Sequence, residues 1–165
     1  MPPRHTDQSL PLLNEAELML DENPNCARTY ASFRLTGDAL DPEVVTTTLG
    51  IKPMRALAKN QAIPTIRRGN GTRRQRTGVW ALTSQGIMSS TSLERHLIYL
   101  LDAIEPAATP LDTLRVEHNL QADFFCYWLS ATGHGGPELS PRTLDRIAAL
   151  DARLGIDFYG PFDPN

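Results

Sequence analysis

Apolar and polar positions alternate from Tyr30 to Thr36, with Ala31, Phe33 and Leu35 on one side and Tyr30, Ser32, Arg34 and Thr36 on the other. This period of two predicts a half-buried strand. Asp41 followed by Pro42 supplies a helix cap with proline in the first turn, and Gly50 supplies a stop, so a short helix is predicted between them. The segment from Lys52 to Gly78, broken by Pro53, Pro64, Gly69 and Gly71, reads as a long connection. Gly78–Thr83 reads as a second strand. Leu93, Leu97, Leu100, Leu101 and Ile104 then recur at helical spacing, with Thr91 and Glu94 spaced as a capping box. Thr109-Pro110 opens a shorter helix with Leu111 and Leu114 inward. Gln121–Ala131 is the most apolar strand. Ser140–Leu154 predicts a third long helix with Leu144, Ile147, Ala148 and Leu154 on one side, and Ile156–Tyr159 a last strand.

Two segments share one pattern. Tyr30-Ala-Ser-Phe-Arg-Leu-Thr-Gly37 leads through Asp41-Pro42 to Leu49-Gly-Ile51. Tyr127-Trp-Leu-Ser-Ala-Thr-Gly133 leads through Ser140-Pro141 to Leu154-Gly-Ile156. The element order then implies an α+β fold: a ferredoxin-like two-layer sandwich from a duplicated strand–helix–strand unit. Its sheet would be four-stranded and mainly antiparallel, with extra helices. Superposing the two Thr-Gly pairs puts Tyr127, Leu129 and Ala131 on the face of Ala31, Phe33 and Leu35. It leaves Cys126, Trp128 and Ser130 beside Tyr30, Ser32 and Arg34. Residues 1–25 read as a partly flexible extension, with a short helix over 14–20, and residues 26–165 as a single domain.

The chain of 165 residues is 41% hydrophobic and 21% charged, an ordinary globular composition. No apolar run is long enough to span a bilayer, and the start lacks a secretory pattern. Cys26 and Cys126 read as free thiols, with Cys126 inside a strand, and the compartment expected is the cytoplasm. The net charge of −3 conceals segregation. Between Glu43 and Glu94 lie eight basic residues and no acidic one, leaving 8 basic against 19 acidic elsewhere. A basic stretch of this kind either meets an external anion or folds against the chain's own acidic surface.

The ordered set of short pieces resembles a bacterial family, domain of unknown function 4279. They are Tyr30–Gly37 with Leu40-Asp-Pro42, Leu49-Gly-Ile-Lys-Pro53, Gly78-Val-Trp80, Leu93-Glu-Arg-His-Leu97, and Phe125-Cys-Tyr-Trp128 through Gly133-His-Gly-Gly136 to Leu139-Ser-Pro141. The resemblance spans Cys26 to Tyr159. It implies a small bacterial α+β domain and brings no catalytic residue with it.

Candidate chemistry is sparse. Gly133, His134, Gly135 and Gly136 precede a capped helix, where backbone N–H groups and an imidazole could meet an anion; a plain turn explains the glycines equally. Tyr30, Arg34 and Trp128 could form a stacking face, with core packing the competing role for Trp128. His96 flanks the apolar stripe and reads as a helix-edge residue. The four histidines and two cysteines show no metal-ligand spacing, and no cofactor motif or nucleophile elbow is present. The favoured function is a non-enzymatic binding or interaction domain that holds a protein partner or a small anionic ligand. Its site would lie where Thr36-Gly37 and Gly133–Gly136 emerge together from the sheet. The alternatives are single-stranded nucleic-acid binding through Arg67, Arg68, Arg73, Arg74 and Arg76, and an enzyme for an anionic substrate with His134 and Arg34 at its centre. Limited trypsin digestion is expected to cut first within Arg67–Arg76, where arginines sit among glycines and threonines, before Arg95 or Arg115.

Overall fold

A computed structural model describes residues 22–64 and 71–161. In chain order, strand β1 (Cys26–Gly37) leads to helix α1 (Pro42–Leu49). Short strands β2 (Arg55–Leu57), β3 (Ala62–Pro64) and β4 (Thr72–Arg74) precede β5 (Gly78–Thr83). Helix α2 (Leu93–Ile104) runs through a 3₁₀ turn into α3 (Ala108–His118), and β6 (Gln121–Ser130), α4 (Pro141–Ala149) and β7 (Arg153–Tyr159) complete the order. The main sheet is ordered β2-β5-β1-β6-β7; β3 and β4 pair as a separate hairpin. β1 is antiparallel to both β5 and β6, β2 is antiparallel to β5, and β7 is parallel to β6.

The fold is α+β, but it is not the four-stranded antiparallel ferredoxin-like sandwich. The sheet has five strands and is mixed. Two features account for the difference. The Lys52–Gly78 connection contributes an edge strand and a hairpin, and α4 carries the chain back over the sheet so that β7 lies parallel beside β6. β1–α1–β2 and β6–α4–β7 each join strands of like direction, yet the first skips over β5 and the second joins neighbours. The helix over 14–20 falls outside the described residues.

The pairing of the two Thr-Gly sequences fails by one residue. β1 runs through Thr36-Gly37, whereas β6 ends at Ser130 and Thr132-Gly133 lies in the turn beyond. A one-residue slip exchanges the two faces of a strand. Phe124, Cys126, Trp128 and Ser130 therefore point into the core with Ala31, Phe33 and Leu35, while Tyr127 points out. Because β1 and β6 are antiparallel, Thr36 lies opposite Gln121 and Cys26 opposite Ser130. Thr36-Gly37 and Gly133–Gly136 thus leave the sheet at opposite ends.

The helices cover one face. Asp41 caps α1 by accepting the N–H groups of Glu43 and Val44, and Gly50 ends it at φ 66°. Trp80 Nε1 donates to Thr46 Oγ1 at 3.0 Å, tying α1 to the centre of β5. Leu93, Leu97, Leu100, Leu101 and Ile104 of α2 are buried, as their spacing predicts, and Leu111 and Leu114 of α3 join them. In α4 the inward residues are Thr143 and Ile147; Leu144 is exposed, and Leu154 already belongs to β7.

Glu94 does not close a capping box. Ser92 is the N-cap of α2, and Thr91 accepts the Asn23 N–H. The Glu94 side chain is fully buried and accepts the Ser140 N–H at 3.0 Å together with the hydroxyls of Ser140 and Thr143. A carboxylate from α2 thereby sits at the positive end of α4. His96 is also fully buried rather than at a helix edge. Its Nε2 lies 2.9 Å from the Ser90 carbonyl, which only accepts, so the ring proton is on Nε2. Nδ1 lies 2.8 Å from Ser84 Oγ, which accepts the Ala31 N–H and lies 3.1 Å from the Ala31 carbonyl. This chain of bonds fastens α2 to β1 through the segment after β5.

Glu94→Ala is expected to destabilise the protein by roughly 2–4 kcal/mol, because it strands a buried N–H and two buried hydroxyls. A thermal melt measures the loss, and hydrogen exchange should show it concentrated at the start of α4.

Candidate functional site

The face of the sheet opposite the helices carries a row of aromatic rings. Tyr30 of β1 and Tyr127 of β6 are register partners, with ring centroids 5.0 Å apart and planes within 9°. Tyr159 of β7 continues the row at 5.0 Å from Tyr127, tilted by 31°. The Arg28 guanidinium lies 5.8 Å from the Tyr30 ring and 5.9 Å from the Tyr127 ring. The rings stack from strand to strand, and each face of Tyr127 meets a neighbouring tyrosine. Tyr127 therefore offers its ring edge and hydroxyl outward rather than an open ring face.

Beside the row is a hollow of about 520 Å³. Its floor is made of small residues from the central strands, Ser32, Ala81 and Thr83, with the Ser32 hydroxyl donating to Thr83 Oγ1 at 2.9 Å. Tyr30, Arg34 and Phe125 stand on one side; Met54 and Arg55 approach from the other. Arg34 grips Asp123 in two bonds, Nε to Oδ1 at 2.7 Å and Nη2 to Oδ2 at 3.1 Å, and lies 4.7 Å from the centre of the Phe125 ring. Its charge is matched within the fold. Arg28, Arg55 and Arg153 make no ion pair among the described residues, and neither does Asp157 on the same face.

Trp128 does not belong to this face. It is fully buried under the helices, and its indole N–H has no hydrogen-bond partner among the described residues. The Gly133–Gly136 turn lies beyond the end of β6. Ser130 Oγ accepts the N–H groups of Thr132 and Gly133 and donates to the His134 carbonyl. Gly133 and Gly135 adopt φ of 83° and 76°, and a Cβ at Gly135 would stand 2.9 Å from Asn25. These glycines are required by the turn itself. The His134 ring is exposed, with Nδ1 3.2 Å from the Thr132 carbonyl. The helix N-terminus that follows holds the internal anion Glu94.

Of the basic stretch, Arg67 and Arg68 lie outside the described residues. Arg73 and Arg74 are exposed on β4, with Arg74 donating to the Asn60 carbonyl, and Lys59 is paired with Asp38. Part of the segregated charge is therefore met by the chain's own acid. Arg34 and the turn bearing His134 do not converge. Asp123, opposite Arg34, is seven strand residues from Ser130, roughly 20 Å away.

Sequence reasoning missed Tyr127, Tyr159, Arg28 and Phe125. In β6 both parities are apolar, so periodicity alone does not separate Phe124, Cys126 and Trp128 from Phe125, Tyr127 and Leu129. The phenolic hydroxyl, which favours a wet end, was the one local signal that Tyr127 faces out. Both cysteines are free and buried, and burial pushes the Cys126 thiol up to about 12. Among the described residues no cluster of His, Cys, Asp and Glu could hold a metal ion, and no helix is long and apolar enough to cross a membrane.

The chain belongs to the family described as Domain of unknown function (DUF4279), whose family model matches residues 27–161, from β1 to just past β7. No curated protein and no solved structure gives a significant match.

Near the aromatic row, Glu22 fixes the path of the chain into β1. Its carboxylate accepts the hydroxyls of Thr91 and Ser90 and the Thr91 N–H, which hold its pKa at about 2 instead of 4.5. A depressed carboxylate pKa stabilises the fold above the ordinary value and loses that contribution as pH falls from about 4.5 toward 2. An NMR titration should find the Glu22 midpoint near 2, and Thr91→Val should move it toward 4.5.

Proposed function

We propose that this domain is a non-enzymatic interaction module that holds a protein partner on its uncovered sheet face. The row of Tyr30, Tyr127 and Tyr159 with Arg28 carries this reading. Tyrosine and arginine are the residue types that dominate the energy of protein interfaces. Both bury large areas and keep a polar tip, and tyrosine does so at little cost in conformational freedom. The adjoining hollow accepts an anchoring side chain, and Arg28 and Arg55 favour a partner that presents carboxylates there. A role in which the domain neutralises its partner by binding is consistent with this. The two buried free thiols suit the reducing interior of a bacterial cell.

Two observations weigh against the other classes. Base recognition on an open sheet uses free ring faces, and those of Tyr127 are occupied by its neighbours. Acid–base chemistry on an anion has no assembled site, since Arg34 is committed to Asp123 and His134 is at a distant turn.

Site-specific photo-crosslinking in cells tests the reading. A crosslinker at Tyr127 is expected to trap a discrete protein, whereas one at Val116, exposed on α3, is not. Tyr127→Ala should weaken the purified complex by about thirtyfold or more per folded molecule, the loss of a hot-spot residue, while the loss of its ring contacts costs the fold only roughly 1–2 kcal/mol. Equal crosslinking from both positions, or a complex indifferent to Tyr127→Ala, would overturn it. Retention on single-stranded RNA at low salt, abolished by Tyr127→Ala, would favour nucleic acid instead.

A further inference from the structure

The two edges of the main sheet differ. β2 is three residues long, a common way of blunting an edge. β7 is seven residues long, contains no proline or lysine, and among the described residues bonds to β6 on one side only. Ile156 and Phe158 follow Leu154 on the helix-facing side, paired with Cys126 and Trp128 in the core, yet they remain 41% and 48% exposed. The core thus runs out to this edge without being closed. A Cβ added at Gly155 would meet nothing within 4 Å, so the outer face is open above the middle of the strand.

We propose that β7 pairs with β7 of a second copy of this chain, antiparallel, about a two-fold axis at Gly155. Such an axis stands normal to the sheet, keeps both helical layers on the same side and sets residues of like parity opposite one another. Centred on Gly155, it places Arg153 opposite Asp157 and Asp157 opposite Arg153 of the other copy. Leu154 faces Ile156, and Phe158 faces Ala152. Every position from 152 to 158 then meets an apolar, glycine or oppositely charged counterpart. Neighbouring registers lose this match. An axis at Asp157 sets that carboxylate against its own copy, an axis at Leu154 sets it against Asp151, and an axis at Ile156 leaves both charges unanswered. The strand is self-complementary in one register, and the sequence specifies it through Arg153 and Asp157. The resulting ten-stranded sheet brings both tyrosine rows onto one continuous face.

Sedimentation of the full chain over a range from low micromolar upward tests the pairing. The native protein should approach twice its chain mass of 18.3 kDa as concentration rises. Arg153→Asp and Asp157→Arg, each alone, should weaken dimerisation by at least about tenfold, because each converts both symmetry-related pairs into like-charge contacts. The double variant should restore it. Both side chains are exposed, so circular dichroism melts at concentrations where the native protein is monomeric should match it. A native chain that stays monomeric, a dimer untouched by either single reversal, or a double variant that fails to recover would overturn the proposal. Phe158→Lys supplies an independent check and should also favour the monomer.

Discussion

The antiparallel register of β1 with β6 is the constraint on which the rest of the molecule depends. It sets Phe33 against Phe124 and Ala31 against Cys126 on the face that the helices cover. The same register sets Tyr30 against Tyr127 and Arg34 against Asp123 on the face they leave open. One pairing therefore makes both the core and the candidate interface. A shift of β6 by one residue would bury Tyr127 and expose Phe124, so core burial enforces the geometry of the outer face. The candidate interface shares its backbone with the core.

The helical layer is held to this sheet by polar groups as much as by its leucines. His96 and Ser84 link α2 to the Ala31 backbone, and Glu94 links α2 to the start of α4. Each group has lost contact with water, and each is matched by a donor or acceptor from a different element. Such bonds add little net stability when complete and cost much when broken, which favours one arrangement of the helices over close alternatives. Position along α4 follows from Glu94, and α4 in turn delivers β7 to its place beside β6.

What is left over from this economy is surface. Helices cover one side of five strands, and nothing among the described residues covers the other. The outermost strand carries core residues that its own subunit only half encloses. A protein partner over the tyrosines and a second copy along β7 use different directions, one normal to the sheet and one in its plane, so neither excludes the other.

The caps of α1, the leucine stripe of α2, the alternation of β1 and the family resemblance were legible in the chain because each rests on local spacing. Asp41-Pro42 and Gly50 act within a turn of themselves, and Leu93 to Ile104 share one face of one helix. Strand order, the facing of β6 and the partner of Glu94 were not legible. Phe124 to Leu129 is apolar at both parities, so only contact with β1 and the helical layer decided that Trp128 goes in and Tyr127 goes out. Glu94 stands at capping-box spacing from Thr91, but the start of α4, 46 residues away, offered its carboxylate a deeper set of donors. By itself the sequence determined which segments form regular structure and how they begin and end. The tertiary structure decided which faces meet, because burial and hydrogen bonding between distant segments outweigh the small preferences that local spacing can express.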